Sequence, residues 1–276
     1  MLFIGNLVKL LARSFKTLGD FFDRLSNLLN SFLPALLSPG QLNSLVKGHY
    51  RTVQTETWLK TDLDWKEDCC LDPSETEILD RYRITSGKML VLGSGWGREA
   101  IAIARRGVAV VGIDTNFAAL RTAQELVKST GVSACFHQGD FLALPYVRSS
   151  FDCALLASRM YSAIPGISHR HAWLADLGRL LKPNGLAILS FLPNRHTVSR
   201  LRRVCAQING KIVTLPGANT AYQPGDDWLA GHFWHWFQDK DEIRKELDGA
   251  GVTILEINWA KGMAVVAYPP RIHAMS

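Results

Sequence analysis

Three glycines and one carboxylate in the segment Lys88–Asn116 have the types and the spacing of a nucleoside-binding site. The glycines occupy alternate positions and are Gly93, Gly95 and Gly97. A short apolar run precedes them, a helix-like stretch follows, and a second apolar run ends at Asp114. Glycine lets a ligand approach the backbone, a helix N-terminus offers free N–H groups, and a carboxylate accepts hydrogen bonds from ribose hydroxyls. The pattern predicts a strand–helix–strand unit that binds a nucleoside.

The glycine spacing bears on the class of nucleotide. A dinucleotide site usually reads G-x-G-x-x-G, with the helix N-terminus facing a pyrophosphate. Here the spacing is G-x-G-x-G, and Arg98 stands where the last glycine of a dinucleotide site would be. The tighter loop suits a ligand without a pyrophosphate, but the glycines alone leave both cofactor classes open.

Strand and helix signals alternate through most of the chain. Buried strands are predicted over 133–137, 151–157 and 186–191, and helices lie between them. Such alternation predicts an α/β fold with a mostly parallel sheet and helices on both faces. The runs 252–259 and 263–268 are separated by only three residues, which predicts an antiparallel hairpin at the carboxyl end.

From Ser74 to Tyr268 the chain resembles the class I S-adenosylmethionine-dependent methyltransferases, in particular the type 11 small-molecule group. Four segments carry the resemblance, and they are Val91–Gly97, Gly139-Asp140-Phe141, Leu180–Gly185 and Asp239–Gly251. The chain departs from the family at Trp96, which is bulkier than usual, and at Asn184, which replaces a common glycine. The resemblance implies a doubly wound, Rossmann-like sheet of seven strands with the antiparallel hairpin at its end.

The resemblance also implies S-adenosyl-L-methionine as the cofactor, and no histidine–cysteine spacing suggests a metal. The methionine part of the cofactor would lie in the loop of Gly93, Ser94, Gly95 and Gly97. Asp114, followed by Thr115, would hold the ribose hydroxyls, and Asp140 would accept from the adenine amino group. Phe141 would pack on the adenine ring, and Ser158 would lie beside the cofactor.

Methyl transfer from a sulfonium requires an aligned acceptor and, for some acceptors, removal of a proton. The candidate bases are Tyr161, His232 and His235. Both histidines belong to the unusually aromatic segment Gly231–Phe237. This segment either stacks a planar acceptor or packs internally before the late helix.

Residues 192–240 form a predicted substrate-side insert. Its first half contains five basic residues with no acidic residue between them, namely Arg195, Arg200, Arg202, Arg203 and Lys211. A helix over 197–208 is expected to turn Leu201, Val204 and Ile208 inward and the arginines outward. The arginines form either a solvated face or a contact with phosphate or carboxylate on the substrate.

The domain of residues 73–270 follows a helical N-terminal extension, residues 1–72. Residues 1–37 have the apolar spacing of an amphipathic helix with a kink before Pro34. This helix packs on the main domain or on a second copy of the chain, which would form a homodimer. Alternatively, it covers the active site or makes a peripheral contact with a membrane. A short helix carrying His49 and Tyr50 is expected next, and a capping box at Ser74–Glu77 begins the domain.

The net charge and the cysteine content narrow the class of protein further. The 276 residues carry a net charge of +6, and the five cysteines include no C-x-x-C pair. Neither a membrane span nor a signal peptide is convincing, so a reduced, cytoplasmic protein is expected, peripheral to a membrane if the first helix binds lipid. The predicted function is a methyltransferase, a transferase that methylates a small molecule. The alternatives are a tRNA methyltransferase and a non-catalytic cofactor-binding scaffold attached to a membrane or a partner.

Overall fold

The computed structural model describes residues 21–52, 71–195 and 200–268. The first of these ranges is helical over residues 21–30 (α1), then forms α2 (Leu33–Leu36) and α3 (Pro39–Thr52). The break expected before Pro34 is present as a turn at residues 31–32. The part of the predicted helix before residue 21 lies outside the described residues.

The main sheet has seven strands in the order β3-β2-β1-β4-β5-β10-β9. The strands are β1 (Lys88–Leu92), β2 (Ala109–Asp114), β3 (Ala134–Gln138), β4 (Phe151–Leu156), β5 (Leu181–Ser190), β9 (Thr253–Asn258) and β10 (Met263–Ala267). All neighbours are parallel except β10, which is antiparallel to both β5 and β9. The predicted sheet and its terminal hairpin are confirmed.

Helices cover both faces of this sheet. They are α4 (Pro73–Arg81), α5 (Arg98–Ala104), α6 (Phe117–Thr130), α7 (Ile167–Leu180) and α9 (Lys240–Gly249). The alternating side chains of β1 show the double coverage, because Leu90 and Leu92 belong to one buried cluster and Met89 and Val91 to the other. A strand buried on both faces reads as a continuous apolar run, as β1 does.

Two local predictions need correction. The capping box of α4 is formed by Asp72 and Glu75, because Asp72 accepts from the backbone N–H of Ser74 while Glu75 accepts from that of Asp72. Ser74 therefore lies inside the helix. The ladder of β5 already begins at Leu181, which pairs with Phe151, so the expected turn at 182–185 is an irregular stretch within the strand.

The insert forms a smaller three-stranded sheet in the order β6-β8-β7, with β6 (Leu192–Pro193), β7 (Asp226–Leu229) and β8 (His232–Phe237), and contains the helix α8 (Arg200–Ile212). Trp228 and Phe233 of this sheet pack against Leu42 and Val46 of α3. The N-terminal extension and the insert therefore share one small hydrophobic core. They are also joined by the side-chain amide of Asn219, which donates to the carbonyl oxygen of Pro34, 185 residues away in the chain.

The predicted orientation of α8 is wrong. Val204 and Ile208 are exposed, whereas Cys205 and Asn209 are buried. The reason is a polar contact: the Asn209 side-chain amide donates to the carbonyl oxygen of Ser31 at 2.9 Å. The side of α8 that faces the protein is thus partly polar, and its apolar stripe faces solvent.

No helix in the described ranges combines the length and apolarity that crossing a bilayer requires.

Candidate active site

A cavity of about 700 Å³ lies where the carboxyl ends of β1, β2 and β4 meet α3 and the turn between β7 and β8. Ligand crevices of open α/β sheets are found at this edge. Eight of the nine residues predicted to contact the cofactor line it, and they are Gly93, Ser94, Gly95, Asp114, Thr115, Asp140, Phe141 and Ser158. The fold therefore gathers these residues from four separate strand ends.

The glycine loop is held by the neighbouring strand. The backbone N–H groups of Gly93 and Ser94 both donate to the carbonyl oxygen of Ile113, at 2.9 and 3.0 Å. Gly93 and Gly95 have φ of +66° and +49°, a region that favours glycine. The Ser94 hydroxyl is buried and has no hydrogen-bond partner among the described residues, and Ser94 is one of the residues that line the cavity. Such an atom is suited to a polar ligand group.

Asp114 closes the end of β2 beside this loop. One carboxylate oxygen accepts from the Gly95 N–H at 2.8 Å, and the other accepts from the Asn116 N–H at 2.8 Å. Burial raises the pKa of Asp114 above its ordinary value, although these backbone hydrogen bonds oppose the shift. The carboxylate is therefore rigidly placed and poorly hydrated, which strengthens any hydrogen bond that it accepts from a ligand hydroxyl.

Asp140 and Phe141 lie at another side of the cavity. One Asp140 oxygen accepts from the Leu142 N–H at 2.9 Å, and the other forms an ion pair with Lys47 of α3. The carbonyl oxygen of Phe141 accepts from the Trp173 indole at 2.8 Å, so the turn is anchored to α7. A residue of the N-terminal extension thus contacts the carboxylate that was predicted to accept from adenine.

Arg98 and Glu99 also line the cavity, and they form an ion pair with each other. The Ser158 hydroxyl lies 3.4 Å from Glu99, which is buried. Burial, followed by the nearby charge of Glu99, raises the pKa of Glu75 to about 7. This side of the cavity therefore contains both a cation, Arg98, and a carboxylate, Glu99.

Gly97, the ninth predicted residue, does not line the cavity. It has φ +88°, and a Cβ there would lie 2.9 Å from Phe136 Cζ and 3.0 Å from Ala123 Cβ. Gly97 instead lets α5 begin close to β3 and α6. Its role is to let the glycine loop pack closely on the side that faces away from the cavity.

We expect Gly97→Ala to lower the free energy of unfolding by about 2 kcal/mol, because the left-handed backbone and the overpacking against Phe136 both oppose alanine. Gly131→Ala is the matched control, since Gly131 has φ +69° but nothing within 4 Å of its added Cβ. Urea denaturation of the two variants separates the contact from the backbone effect. Equal losses in both would contradict the packing role of Gly97.

The opposite side of the cavity is aromatic and carries His232. This histidine is 6% exposed, and its Nδ1 has no hydrogen-bond partner in the described parts of the chain. Its ring centroid lies 4.4 Å from that of His49 and 4.6 Å from that of Tyr50. Burial, and then the neighbouring His49, lower the pKa of His232 to about 4. The imidazole is therefore neutral near pH 7, and Nδ1 is available to accept or donate a hydrogen bond according to the tautomer.

The other two candidate bases do not reach the cavity. Tyr161 is fully buried, and its hydroxyl donates to Glu246 at 2.7 Å. Burial and the charge of Glu246 raise the pKa of Tyr161 well above its ordinary value. His235 is also fully buried, with Nδ1 2.7 Å from Asp226 and Nε2 3.2 Å from Glu242.

The alternation of β8 explains this separation of the two histidines. His232 and Trp234 line the cavity, whereas Phe233, His235 and Phe237 face inward and are fully buried. Successive side chains of a strand point to opposite faces, so His232 and His235, three residues apart, lie on different faces. One face of the aromatic segment thus packs internally, and the other lines the cavity.

Several lining residues were not anticipated as site residues. Five come from α3, namely Asn43, Val46, Lys47, His49 and Tyr50, and others include Trp96, Arg98, Glu99 and Met160. The Tyr50 hydroxyl lies 3.5 Å from Met160 Sδ across the cavity. The pairing of His49 with Tyr50 in a predicted helix was the available signal, but its position over the sheet depends on tertiary contacts.

Comparison with known proteins agrees with this geometry. Residues 89–185 match a family model described as a methyltransferase domain. The demethylmenaquinone methyltransferase of Tropheryma whipplei strain Twist is 28% identical over 165 residues, which are 59% of this chain and 62% of that protein. The chain thus spans about three-fifths of the length of the curated relatives it matches.

Two solved structures share the fold. A SAM-dependent methyltransferase from Methanosarcina mazei is 22% identical with a TM-score of 0.55, and the match covers 73% of this chain and 99% of the other. The 1,6-didemethyltoxoflavin-N1-methyltransferase of Burkholderia thailandensis, with bound S-adenosylhomocysteine, is 15% identical with a TM-score of 0.57, covering 85% and 92%. By its matched domain and its sheet, the chain has a methyltransferase domain with the fold of these S-adenosylmethionine-dependent enzymes.

Proposed function

We propose that this chain transfers a methyl group from S-adenosylmethionine to a planar, uncharged small molecule held beside His232. One observation carries the proposal: a single cavity joins the glycine loop and Asp114 at one side to a neutral histidine among aromatic rings at the other. Its volume is within the range typical of small-molecule sites.

The residues present fit the cofactor. Gly95 has open space where a side chain would project, and the buried Ser94 hydroxyl is without a partner among the described residues. Asp114 would accept from ribose hydroxyls, and Asp140 would accept from the adenine amino group. Arg98 and Glu99 carry charges opposite to those of an amino-acid carboxylate and ammonium. When bound, S-adenosylmethionine supplies an electrophilic methyl group on a sulfonium.

The acceptor side favours an uncharged ring. Its lining includes Tyr50, Met160, His232 and Trp234, and the charged lining residues belong to the cofactor side. Aromatic side chains stack on planar ligands, and a desolvated wall disfavours a charged one. Lys47, the nearest cation on α3, is already paired with Asp140.

We assign to the imidazole of His232 the proton that leaves the acceptor. The imidazole would take up this proton as the acceptor exchanges it for the methyl group, and it would then return the proton to water. An imidazole whose pKa is about 4 is a weak base, so it suits an acidic hydroxyl or a nitrogen that becomes acidic on methylation. An aliphatic alcohol would require a stronger base.

The comparisons support a small-molecule acceptor. The relatives in Tropheryma whipplei are named demethylmenaquinone methyltransferases, and the structural neighbour from Burkholderia thailandensis is named for 1,6-didemethyltoxoflavin. These names describe those proteins. For this chain they favour metabolite over nucleic acid as the class of acceptor.

The direct test uses the purified full chain, S-adenosylmethionine labelled in its methyl group, and a host extract separated into metabolite, lipid and RNA fractions. Label is expected in an extractable small molecule from the metabolite or lipid fraction. Label in RNA would instead establish a tRNA-type activity. Cofactor binding by calorimetry with no label in any fraction would support the non-catalytic scaffold and refute the proposal.

We expect His232→Ala to lower kcat about 100-fold, at the low end of general-base effects, while cofactor affinity changes little. The matched control is His169→Ala, because His169 is exposed on α7 away from the cavity. Steady-state kinetics with the acceptor from the labelling experiment give kcat, and calorimetry gives the cofactor affinity. Unchanged kcat would remove His232 from the proton path.

The same assignment predicts an unusual pH profile. The depressed pKa means that His232 stays neutral as the pH falls through 6.5, and protonates only near about 4. The acidic limb of kcat/KM should therefore lie well below 6.5 wherever the protein remains folded. A limb near 6.5 that persists in His232→Ala would show that another group titrates.

A further inference from the structure

Exposed apolar side chains are concentrated in the N-terminal helices and the insert. In the described parts of the chain thirteen large apolar side chains are exposed, and ten of them lie within residues 21–45 and 204–229. The other three are Phe117, Val147 and Leu255, which are widely separated in the sequence. A solvated surface helix normally shows its polar side to water, so this distribution requires an explanation.

Two helices carry most of this surface, and they are adjacent. On α1 the exposed residues Phe22, Leu25 and Leu29 follow helical spacing, and on α8 Val204 and Ile208 do the same. We call these five residues the apolar face, and each is between 40% and 60% exposed. The helices meet where the Asn209 amide donates to the Ser31 carbonyl oxygen at 2.9 Å. The face therefore spans the N-terminal extension and the insert.

Positive charge is concentrated in the same two segments. Residues 1–52 contain six basic and two acidic residues, and residues 200–212 contain four basic and no acidic residues. The whole chain has a net charge of +6, so the remainder has two more acidic than basic residues. The net positive charge of the chain thus lies in residues 1–52 and in α8, although within α1 itself Asp23 balances Arg24.

We infer that the apolar face rests on an anionic phospholipid bilayer, with α1 and α8 lying at the interface. Apolar side chains would enter the boundary between headgroups and acyl chains, and the surrounding lysines and arginines would attract anionic headgroups. The apolar and the charged side chains both have to be explained, because attraction between charges gives no reason for Phe22 and Leu29 to be exposed.

The two other kinds of partner fit less well. A second copy would cover the apolar face, but a symmetric contact would bring two strongly positive segments together. An RNA would neutralise the basic residues but leave the phenylalanine and leucines exposed. An anionic bilayer satisfies the apolar and the charged groups at once.

The position of the apolar face has a consequence for the uptake of the acceptor, and this consequence rests on the proposed function. The N-terminal extension and the insert, which carry the apolar face, also contain α3 and the turn between β7 and β8, and these line the acceptor side of the cavity through residues such as Tyr50 and Ala230. A planar, uncharged acceptor dissolved in the bilayer would then be taken up next to the membrane. The inference itself does not require methyl transfer.

The test measures sedimentation of the full chain with vesicles in the absence of cofactor and acceptor, so its failure is distinct from failure of the proposed activity. Vesicles of phosphatidylcholine alone are compared with phosphatidylcholine mixed with phosphatidylglycerol. Binding to the mixed vesicles that weakens as salt is added is the expected result. Leu25→Glu combined with Leu29→Glu, or Val204→Glu combined with Ile208→Glu, should reduce partitioning at least tenfold.

Lys211→Gln should reduce partitioning about fivefold, as expected for one basic residue near an anionic surface. The matched controls are Leu255→Glu and Val147→Glu, which place the same charge at exposed apolar positions outside the face, and they should bind like the unaltered chain. Melting curves verify that each variant is folded.

Three results would overturn the inference. One is no binding to the anionic vesicles, and another is an equal loss of binding in the control variants. The third is a dimer in analytical ultracentrifugation that the α1 and α8 variants dissociate, without any binding to vesicles. Salt-dependent RNA binding that ignores Leu29→Glu, together with absent vesicle binding, would likewise assign the surface to nucleic acid.

Discussion

Replacing Asp114 with alanine is expected to weaken S-adenosylmethionine binding about 1,000-fold, which corresponds to about 4 kcal/mol. The expectation comes from the loss of two hydrogen bonds between ribose hydroxyls and a charged acceptor, each contributing roughly 1.5–3 kcal/mol. Asp114 is partly buried and lines the cavity, so water still competes for its carboxylate and a value in the lower half of the summed range is expected. Isothermal titration calorimetry of the full chain measures the change directly.

The controls distinguish a lost ligand contact from a damaged loop. Asp114 also accepts from the N–H groups of Gly95 and Asn116, so the alanine variant removes support from the glycine loop. Asp114→Asn keeps one acceptor oxygen and should lose less affinity than the alanine variant. Asp248→Ala changes an exposed carboxylate on α9 and should bind normally. Cofactor affinity that is unchanged in Asp114→Ala would refute the site.

Glu246→Ala should lower the free energy of unfolding by about 3–5 kcal/mol. The carboxylate of Glu246 accepts from Arg170 Nε at 2.7 Å and from Nη2 at 2.6 Å, and it also accepts from the Tyr161 hydroxyl. Arg170 is fully buried and would keep its charge without this partner. Burial tends to raise the pKa of Glu246, but Arg170 outweighs it and holds that pKa below its ordinary value.

A surface ion pair provides the matched control. Asp176 and Arg179 lie three residues apart on α7, and both side chains are about half exposed. We expect Asp176→Ala to change stability by less than about 0.5 kcal/mol, because water screens exposed pairs. Urea denaturation compares the two variants. A loss below about 1 kcal/mol for Glu246→Ala would mean that Arg170 finds other partners, with Gln223 and the Ile164 carbonyl oxygen already bonded to it.

The buried network also bears on the acceptor side of the cavity. His235 lies between Asp226 and Glu242, and although burial lowers its pKa, these two hydrogen bonds outweigh it and raise that pKa. These contacts fix β8 against α9 from its inner face. Because His232 lies on the outer face of the same strand, the network positions the proposed base without touching the acceptor.

Local patterns predicted which residues would gather at one side of the cavity. The glycine loop and Asp114 lie within 22 residues of each other in one strand–helix–strand unit, whose geometry is set by chain direction and handedness. Asp140, Phe141 and Ser158 follow later strands, and parallel strands end at the same edge of the sheet. Their convergence on one cavity was therefore predictable from the order of elements. Gly97 was placed in the right loop, but only the packing of Phe136 shows that it faces away from the cavity.

The acceptor side was much less predictable. Tyr161, His232 and His235 were equal candidates by residue type, and the structure separates them because Glu246 and Asp226 hold two of them in the interior. The orientation of α8 was predicted wrongly, since the apolar stripe suggested an inward face. The polar contact of Asn209 with Ser31, 178 residues away in the chain, turns that stripe outward.

By itself, the sequence determined the class of fold, the cofactor loop and the carboxylates at the strand ends, because each depends on short-range spacing and on the period of strands and helices. Only the tertiary structure decided that α3 lines the cavity, that His232 rather than His235 faces it, and that Val204 and Ile208 face solvent. These outcomes depend on contacts between segments far apart in the chain. The free energy of these contacts depends on which buried polar groups find hydrogen-bond partners. That in turn depends on how the helices and sheets pack together rather than on any one segment.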